Sequence, residues 1–142
     1  MTFPSYPQDN TEAVEAHQLD LQALIDAAPG VSILIDREGT ILAINQAGTL
    51  RFAIGRQEAL GRNLFSFFSP QLAESRRARL EQAITQQQAL VFEDNREGRH
   101  FRNSAIPIID QDGEIRRIAL FSEDITEQDE AAAHLRESEA QY

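Results

Sequence analysis

The sequence predicts an α+β fold in which a five-stranded antiparallel sheet carries helices on one face and a further helix flanks each end. Two short β-rich runs around a turn come first, a group of helical segments follows, and three β-rich runs separated by turns complete the 142 residues. Strands joined by short turns pair antiparallel, and the helices between them pack on the resulting sheet. With 42% hydrophobic and 25% charged residues, the composition suits one globular domain with short extensions.

The N-terminal part predicts a disordered lead followed by a helix. Residues 1–10 contain two prolines among polar residues, and Thr11 is a suitable N-cap for a helix that continues to about residue 28. Along this helix, side chains recur at the alternating three- and four-residue spacings of a heptad repeat. They are Val14, His17, Leu21, Leu24 and Ala28. Two heptads fit either a helix packed on its own domain or one paired with a second chain.

Turn and cap residues define the first strands and the central helices. A Pro-Gly pair ends the first helix, and VSILID-REGT-ILAIN then predicts a hairpin whose turn contains Gly39. Glycines interrupt residues 45–60, so this segment predicts short helical turns, and LFSFFS predicts another. Ser69 is a suitable N-cap, and the proline that follows it suits the first helical position. The two begin a longer helix that ends near residue 87.

The C-terminal half predicts three strands. They are ALVFEDN, then RHFRNSAIPII after a glycine turn, then EIRRIALFSED after an Asp-Gly turn. In the last strand, alternation places Ile118 and Leu120 on one face, and Ile115, Ala119 and Phe121 on the other. Both faces of the sheet are therefore expected to be covered, the second one by the terminal helices or by another subunit.

The last strand passes into a helix without glycine, proline or a loop, in the stretch FSEDITEQDEAAAHL. Such joints normally contain a few turn-forming residues. Here Asp124 can cap the helix with Glu127 at its third position, or Thr126 can cap it with Asp129 there. We therefore assign Asp124, Thr126 and Glu127 to the relay of a signal from the sheet to the helix. The simpler interpretation is that they only end a strand and start a helix.

Three stretches carry a family resemblance: DREGTILAIN, NQAGTLRFAIGRQEALGRNLFSFFSP and IPIIDQDGEIRRIALFSEDITE. In this order and spacing they resemble the first strands, the ligand-side helices and the final hairpin of the PAS sensor family. The resemblance runs from about residue 21 to the end. It implies a flanking helix at 11–28, a PAS core at 29–125 and a signalling helix at 126–142. LRESEAQY is similar to linkers between domains, which implies an effector in the same protein, such as a histidine kinase or a diguanylate cyclase.

Composition and charge exclude several classes of function. The chain has no cysteine, which removes disulfides, thiolate metal sites and thiol nucleophiles. A formal charge of −10 disfavours nucleic acid, and the basic run RRAR at residues 76–79 is interpreted as a solvated helix face. No apolar run is long enough to span a bilayer, and residues 1–10 lack the parts of a signal peptide. We therefore expect a cytoplasmic location without membrane contact by these residues.

Catalysis is not expected of these residues, and no catalytic residue or metal site is predicted. His17, His100 and His134 form no metal-spaced pair, and neither a phosphate loop nor a Gly-x-Ser-x-Gly elbow is present. By resemblance, haem would need a histidine on the long helix that follows Ser69, and thiol-linked chromophores would need a cysteine; both are missing. The cofactor is thus unknown, with haem and thiol-linked chromophores disfavoured and a non-covalent flavin left open.

Strand alternation and the resemblance together predict a pocket between the sheet and the helices. Alternation puts Asn103 on one face with Phe101 and Ala105, and Ser122 on one face with Leu120. A mostly apolar cavity with a few polar groups is the usual makeup of a small-molecule site. The candidates are Ile33, Asn45, Phe52, Phe68, Leu80, Ile84, Phe101, Asn103, Ala105, Leu120 and Ser122. The competing interpretation is that the large apolar side chains simply fill the core.

The predicted function is a signal-input domain that senses a small molecule or a partner and relays the signal through its C-terminal helix. We expect a parallel homodimer paired through both terminal helices. The strongest alternative is a dimerisation and relay module without a ligand. The residues suited to pairing are Val14, Leu21, Leu24 and Ala28 at one end and Ile125, Ala132, Leu135 and Tyr142 at the other.

Overall fold

The computed structural model describes residues 10–140. The helices are α1 (Asn10–Ala27), α2 (Gln46–Phe52), α3 (Arg56–Ala59), α4 (Pro70–Gln86) and α5 (Thr126–Ala140). The strands are β1 (Val31–Asp36), β2 (Ile41–Ile44), β3 (Leu90–Arg96), β4 (Arg99–Ile109) and β5 (Ile115–Asp124), and a 3₁₀ turn at Leu64–Phe67 precedes α4. Since α1 already includes Asn10, the rest of the predicted disordered lead lies outside the described residues, as does Tyr142. None of the helices in this range combines the length and apolar character needed to cross a membrane.

The strands form one five-stranded antiparallel sheet in the order β2-β1-β5-β4-β3. The last strand, β5, therefore lies at the centre. Its Leu120 faces Ile33 of β1 on one side and Ala105 of β4 on the other. This arrangement confirms the predicted α+β fold. Because β5 is hydrogen-bonded to both β1 and β4, a displacement of β5 would also displace these two strands.

The hydrophobic core lies between one face of the sheet, here called the inner face, and the helices that follow β2. Helix α4 presents Ala73, Leu80 and Ala83 to the buried side chains of this face. The helix begins as predicted, because Ser69 Oγ accepts a hydrogen bond from the backbone N–H of Leu72 and proline occupies the first turn. Burial of these apolar side chains is the main favourable contribution to folding.

A β-bulge changes the alternation predicted for β5. The register between β4 and β5 shifts near the strand ends, where Ile109 lies opposite Ile115. An extra residue in one strand interrupts the two-residue period of side chains. Ile115 is consequently buried in the same core cluster as Ile118, and the prediction that it shares the other face with Phe121 is wrong.

The second face of the sheet, here called the outer face, is only partly covered by the terminal helices, since residues of α1 and of this face line one cavity. No side chain of α1 is buried, and α5 buries only Thr126 at its start. On the outer face, Phe121 is 42% exposed and Ile106 is 38% exposed. Within one chain the outer face is therefore covered only in part, and its cover by a second subunit stays a prediction.

Helix α1 is attached to the domain by polar contacts near its C-terminal end. Gln22 Nε2 donates a hydrogen bond of 3.1 Å to the backbone oxygen of Ile44. The backbone N–H of Gln46 donates one of 2.7 Å to Asp26 Oδ1. Because the helix uses polar side chains for this attachment, its apolar heptad positions stay exposed, Leu24 most of all at 68%.

Candidate functional site

A cavity of about 90 Å³ lies between the inner face of the sheet and the helices α2 and α4. Its wall is mostly apolar. It includes eight of the residues predicted for the pocket: Ile33, Phe52, Phe68, Leu80, Asn103, Ala105, Leu120 and Ser122. Further apolar wall residues that the sequence did not reveal are Val31, Ile35, Leu64, Phe65 and Phe92. The structure thus brings the eight residues together around one space, and their contact with a ligand remains a prediction.

Asn45 lies outside the cavity, and its side chain instead makes hydrogen bonds to backbone groups of three neighbouring segments. Its Oδ1 accepts hydrogen bonds from the backbone N–H groups of Ser32 and Gly48, each over 3.0 Å. Its Nδ2 donates to the backbone oxygens of Ile25, over 3.0 Å, and Gly30, over 2.9 Å. All the donor and acceptor sites of the amide are therefore used. The prediction of Asn45 as a pocket residue is wrong, and its place is the N-cap of α2.

Ile84 and Phe101 also lie outside the cavity wall. Ile84 packs against the hydrophobic core. The ring of Phe101 is covered by two guanidinium groups, since those of Arg96 and Arg51 lie 4.1 Å and 4.8 Å from its centroid. Such cation–π contacts occupy the ring face that a ligand would need. The predicted positions of both residues in the pocket are therefore wrong, and Phe101 instead supports arginines that line it.

Four arginines that were not predicted also line the cavity: Arg51, Arg76, Arg79 and Arg96. The interpretation of the RRAR run as a solvated helix face is wrong for Arg76, whose side chain is 14% exposed and paired with Asp94. Arg76 and Arg79 each place a guanidinium 4.7 Å from the ring centroid of Phe92. A sequence signal existed, because Arg76 lies one helical turn before Leu80 in the apolar stripe of α4.

Asp94 connects β3, β4 and α4 beside the cavity. Its carboxylate accepts hydrogen bonds from Arg76 and, over 2.8 Å, from Asn103 Nδ2. Burial by itself would raise the pKa of Asp94, but the donors Asn103 and Arg76 and the charge of Arg96 outweigh it and hold the pKa below its ordinary value. Asp94 is consequently a fixed negative charge among the arginines.

Ser122 is shared by two of these arginines. Its Oγ accepts a hydrogen bond of 3.1 Å from Arg51 Nη1 and one of 3.4 Å from Arg96 Nη2. Burial lowers the pKa of both guanidinium groups, and the positive charge of Arg96 lowers the pKa of Arg51 further. Two cations therefore converge on one neutral hydroxyl group.

The chemistry that this site offers is binding. It combines an apolar space with several cationic hydrogen-bond donors, which keep their protons at neutral pH. Within residues 10–140, no group of three or more histidine, aspartate or glutamate side chains is arranged to hold a metal ion. A ligand entering the cavity would be recognised through its shape, its apolar surface and its charge.

The joint between β5 and α5 consists of the single residue Ile125, as the absence of turn residues predicted. Asp124 Oδ1 accepts hydrogen bonds from the backbone N–H of Thr126, over 3.0 Å, and from its hydroxyl group, over 2.6 Å. Arg99 Nε donates to the other carboxylate oxygen of Asp124 over 2.8 Å. The Thr126 bond and Arg99 hold the pKa of Asp124 well below its usual range, so that this cap is ionised.

Two details of the predicted cap are wrong. Thr126 does not cap Asp129, because Thr126 Oγ1 accepts from the backbone N–H of His100 over 2.8 Å and Asp129 N–H bonds to the backbone oxygen of Ile125. Among the hydrogen bonds of the described chain, none is a capping-box bond from the Glu127 carboxylate. The first turn of α5 is thus held by Asp124 and by β4, which the sequence could not show.

Ile125 was also predicted as a position for pairing with a second chain. Its side chain is instead 1% exposed. Its backbone N–H donates to the backbone oxygen of His100 over 2.8 Å, which fixes the start of α5 on β4. Ile125 is therefore used inside its own chain, and its predicted part in dimer pairing is wrong.

Comparison with known protein families assigns the chain. A family model described as the PAS fold matches residues 25–130. The chain belongs to the PAS family. PAS domains are generally non-catalytic sensory modules. This assignment confirms the resemblance drawn from the three sequence stretches.

Curated relatives of this PAS domain include histidine kinases. The cell-division control histidine kinase PdhS of Brucella ovis is 35% identical over 80 residues, which are 56% of this chain and 7% of the kinase. PdhS of Brucella abortus matches to the same extent. The chain therefore spans only a small part of the length of these curated relatives.

Solved structures give the same assignment. The PAS domain of BvgS from Bordetella pertussis superposes with a TM-score of 0.65 at 25% identity, covering 89% of this chain and 99% of that one. A sensory box sensor histidine kinase from Vibrio cholerae has a TM-score of 0.64 at 18% identity, covering 83% and 98%, and shows the shared fold. Both structures therefore share the fold of this PAS domain.

Proposed function

We propose that this PAS domain is a signal-input module whose cavity binds a small molecule and whose helix α5 relays occupancy to an effector in the same chain. The observation that carries the proposal is the double use of β5. Leu120 and Ser122 form part of the cavity wall, and Asp124, two residues further along, caps α5. Sensing and relay groups therefore lie on one strand, about 7 Å apart for a two-residue step.

The contacts beside β5 supply a second connection between the cavity and α5. Phe101 lies opposite Asp124 in the β4–β5 register, and its ring carries the guanidinium groups of Arg51 and Arg96. Both arginines bond to Ser122. A ligand that moves either arginine would therefore disturb Phe101 and, across the strand pair, Asp124 just before α5.

The curated relatives support an effector of the histidine kinase type. The curated relatives are histidine kinases, and this chain corresponds to a small part of them. We accordingly divide the chain into a flanking helix (11–28), a PAS core (29–125) and a signalling helix (126–142) that leads to a histidine kinase or a diguanylate cyclase. Because such effectors consume nucleoside triphosphates, the proposed location is the cytoplasm.

Native mass spectrometry of the protein isolated from its own host tests cavity binding. We expect a bound small molecule that the Ala105→Leu variant loses, since Ala105 lies in the cavity wall. The matched variant Ala119→Leu adds the same atoms on the outer face of the adjacent strand and should keep it. Melting temperatures identify either variant that is too destabilised by overpacking to be informative.

Hydrogen exchange on the same samples tests the relay. Removal of the bound molecule should increase amide exchange in the first turn of α5 and leave the opposite end of β5, near Ile115, unchanged. Wild-type protein that carries no bound molecule would contradict the proposal in favour of a relay module without a ligand. A bound molecule whose removal leaves the exchange of α5 unchanged would contradict the relay.

A homodimer paired through the terminal helices is the second part of the proposal. The supporting observation is that three apolar heptad positions of α1 remain largely exposed: Val14, Leu21 and Leu24 are 55%, 48% and 68% exposed. Exposed apolar residues at heptad spacing are typical of a pairing surface.

Sedimentation equilibrium at micromolar concentration is expected to show a dimer that Leu24→Glu weakens at least about tenfold, because the charge would be buried in the helix pair. Leu50→Glu is the matched control, since Leu50 is equally exposed on α2 but outside the heptad. A wild-type monomer, or equal effects of the two substitutions, would refute pairing through α1.

A further inference from the structure

The cavity wall is rich in arginine although the protein is acidic. The whole chain has a formal charge of −10. Four arginines nevertheless line the cavity, and no aspartate or glutamate does. The nearest carboxylate, Asp94, pairs with Arg76 and lies 3.4 Å from Arg96 Nε. Asp124 also acts electrostatically on Arg51, so two negative charges face four positive ones, which leaves a net attraction for an anion.

Arg51 and Arg96 lie close together in the cavity wall, and each has unused binding capacity. They share the Oγ atom of Ser122 as a side-chain acceptor and lie over the same Phe101 ring. Arg96 Nε is buried without a hydrogen-bond partner, since its position 3.4 Å from Asp94 does not make a hydrogen bond. A buried donor without a partner costs free energy, so an acceptor placed here would be stabilising.

Arg76 differs from these two. It is already neutralised by Asp94, whose carboxylate also accepts a bond from Asn103. Asp94 would repel a second negative charge brought close to Arg96. The site therefore favours a ligand with one negative charge over a dianion such as a phosphate monoester.

The remaining wall describes the rest of the ligand. The cavity of about 90 Å³ is several times the space of roughly 10–15 Å³ that one water molecule requires. Below the arginines it is lined by aliphatic and aromatic side chains. It can therefore hold a few apolar heavy atoms attached to the anionic group.

We propose that the ligand class of this cavity is a small organic acid: a monocarboxylate whose apolar body enters the cavity and whose carboxylate is bound by Arg51 and Arg96. The planar guanidinium fork matches the two carboxylate oxygens. The carboxylate takes the place of the Ser122 hydroxyl as their shared acceptor and gives Arg96 Nε a partner. This inference rests on the proposed sensing function and specifies its ligand.

Calorimetric titration of the stripped protein with matched acids and amides tests the inference. Hexanoate and benzoate should bind at least about tenfold more tightly than hexanamide and benzamide, because hydrogen bonds to a charged group are the stronger ones. Added salt should weaken the binding of the acids and leave the amides unaffected. Inorganic phosphate alone should compete only weakly, since it has no apolar body.

Arginine variants test the site. Arg51→Gln, at an exposed position of α2, should weaken hexanoate about tenfold without changing hexanamide. Arg96→Lys keeps the charge and should also weaken hexanoate, because a lysine cannot bind bidentately. The control is Arg102→Gln, beside Asn103 on the outer face of β4, where Arg102 pairs with Glu93 at the surface. It should bind like wild type.

The outcomes separate this inference from the proposed function. Equal binding of acids and amides, or acid binding that Arg51→Gln leaves unchanged, overturns the inference while cavity binding stands. Phosphate that competes as strongly as hexanoate overturns the apolar-body requirement. If neither series binds, the inference is overturned, and the mass of any molecule bound to the protein from its own host decides separately whether the cavity has another ligand.

Discussion

Replacing Asn45 by alanine is expected to lower the free energy of unfolding by about 3–4 kcal/mol, because four backbone groups would lose their partner in a buried site. Asn45 is completely buried. Its amide joins the end of α1 at Ile25, the start of β1 at Ser32 and the first turn of α2 at Gly48. The substitution therefore removes hydrogen bonds from three elements at once, and it also loosens α1 from the core.

Urea denaturation measures this effect, with Asn63→Ala as the matched control. The Asn63 side chain also bonds to the backbone. It accepts one hydrogen bond from the N–H of Phe65 and donates one to the backbone oxygen of Glu38. It is only half-buried, so its loss should cost about 1 kcal/mol, as for an ordinary cap. Equal losses from the two alanine variants would show that Asn45 is no more than a helix cap.

Asp124→Ala is expected to abolish the response of the effector to the ligand while the domain still folds and still binds. Asp124 carries the contacts that begin α5 at a defined point: two bonds to Thr126 and an ion pair with Arg99. Without them, the last strand can move without moving the helix. Effector activity measured with and without ligand in the full-length protein should become equal.

Asp110→Ala provides the control for this prediction. Asp110 caps the turn at the opposite end of β5, where its carboxylate accepts from the backbone N–H groups of Asp112 and Glu114 and pairs with Arg116. The chemistry of the two aspartates is closely similar, but Asp110 has no contact with α5. A normal ligand response in Asp124→Ala, or the same loss of response in Asp110→Ala, would show that the joint is a connector and not a relay.

The relay interpretation depends on contacts that differ in how far they reach along the chain. The bonds from Asp124 to Thr126 are local, and the sequence predicted that Asp124 caps this helix. Two further bonds connect residues far apart in the chain: the backbone N–H of His100 donates to Thr126, and that of Ile125 donates to the backbone oxygen of His100. They place the start of α5 on β4 as well as on β5. The second set makes the joint stiff, because the helix cannot shift against one strand without shifting against the other.

The sequence by itself determined the order of the elements, the cap of α4 at Ser69, the direct joint at Asp124 and about half of the apolar cavity wall. These features depend on the residue types a few positions apart, through turn chemistry and through the periods of helices and strands. The PAS family resemblance rested on the same kind of local pattern.

Only the tertiary structure decided the charged part of the cavity and the role of Asn45. Arg76 meets Asp94 across 18 positions of the chain, and Arg51 meets Ser122 across 71. The register shift near Ile109 likewise turned Ile115 into the core. Local patterns predict which face a residue occupies only where a strand is regular. The pairing of charges and buried amides depends on distances that exist only once the strands are in register and the helices are packed.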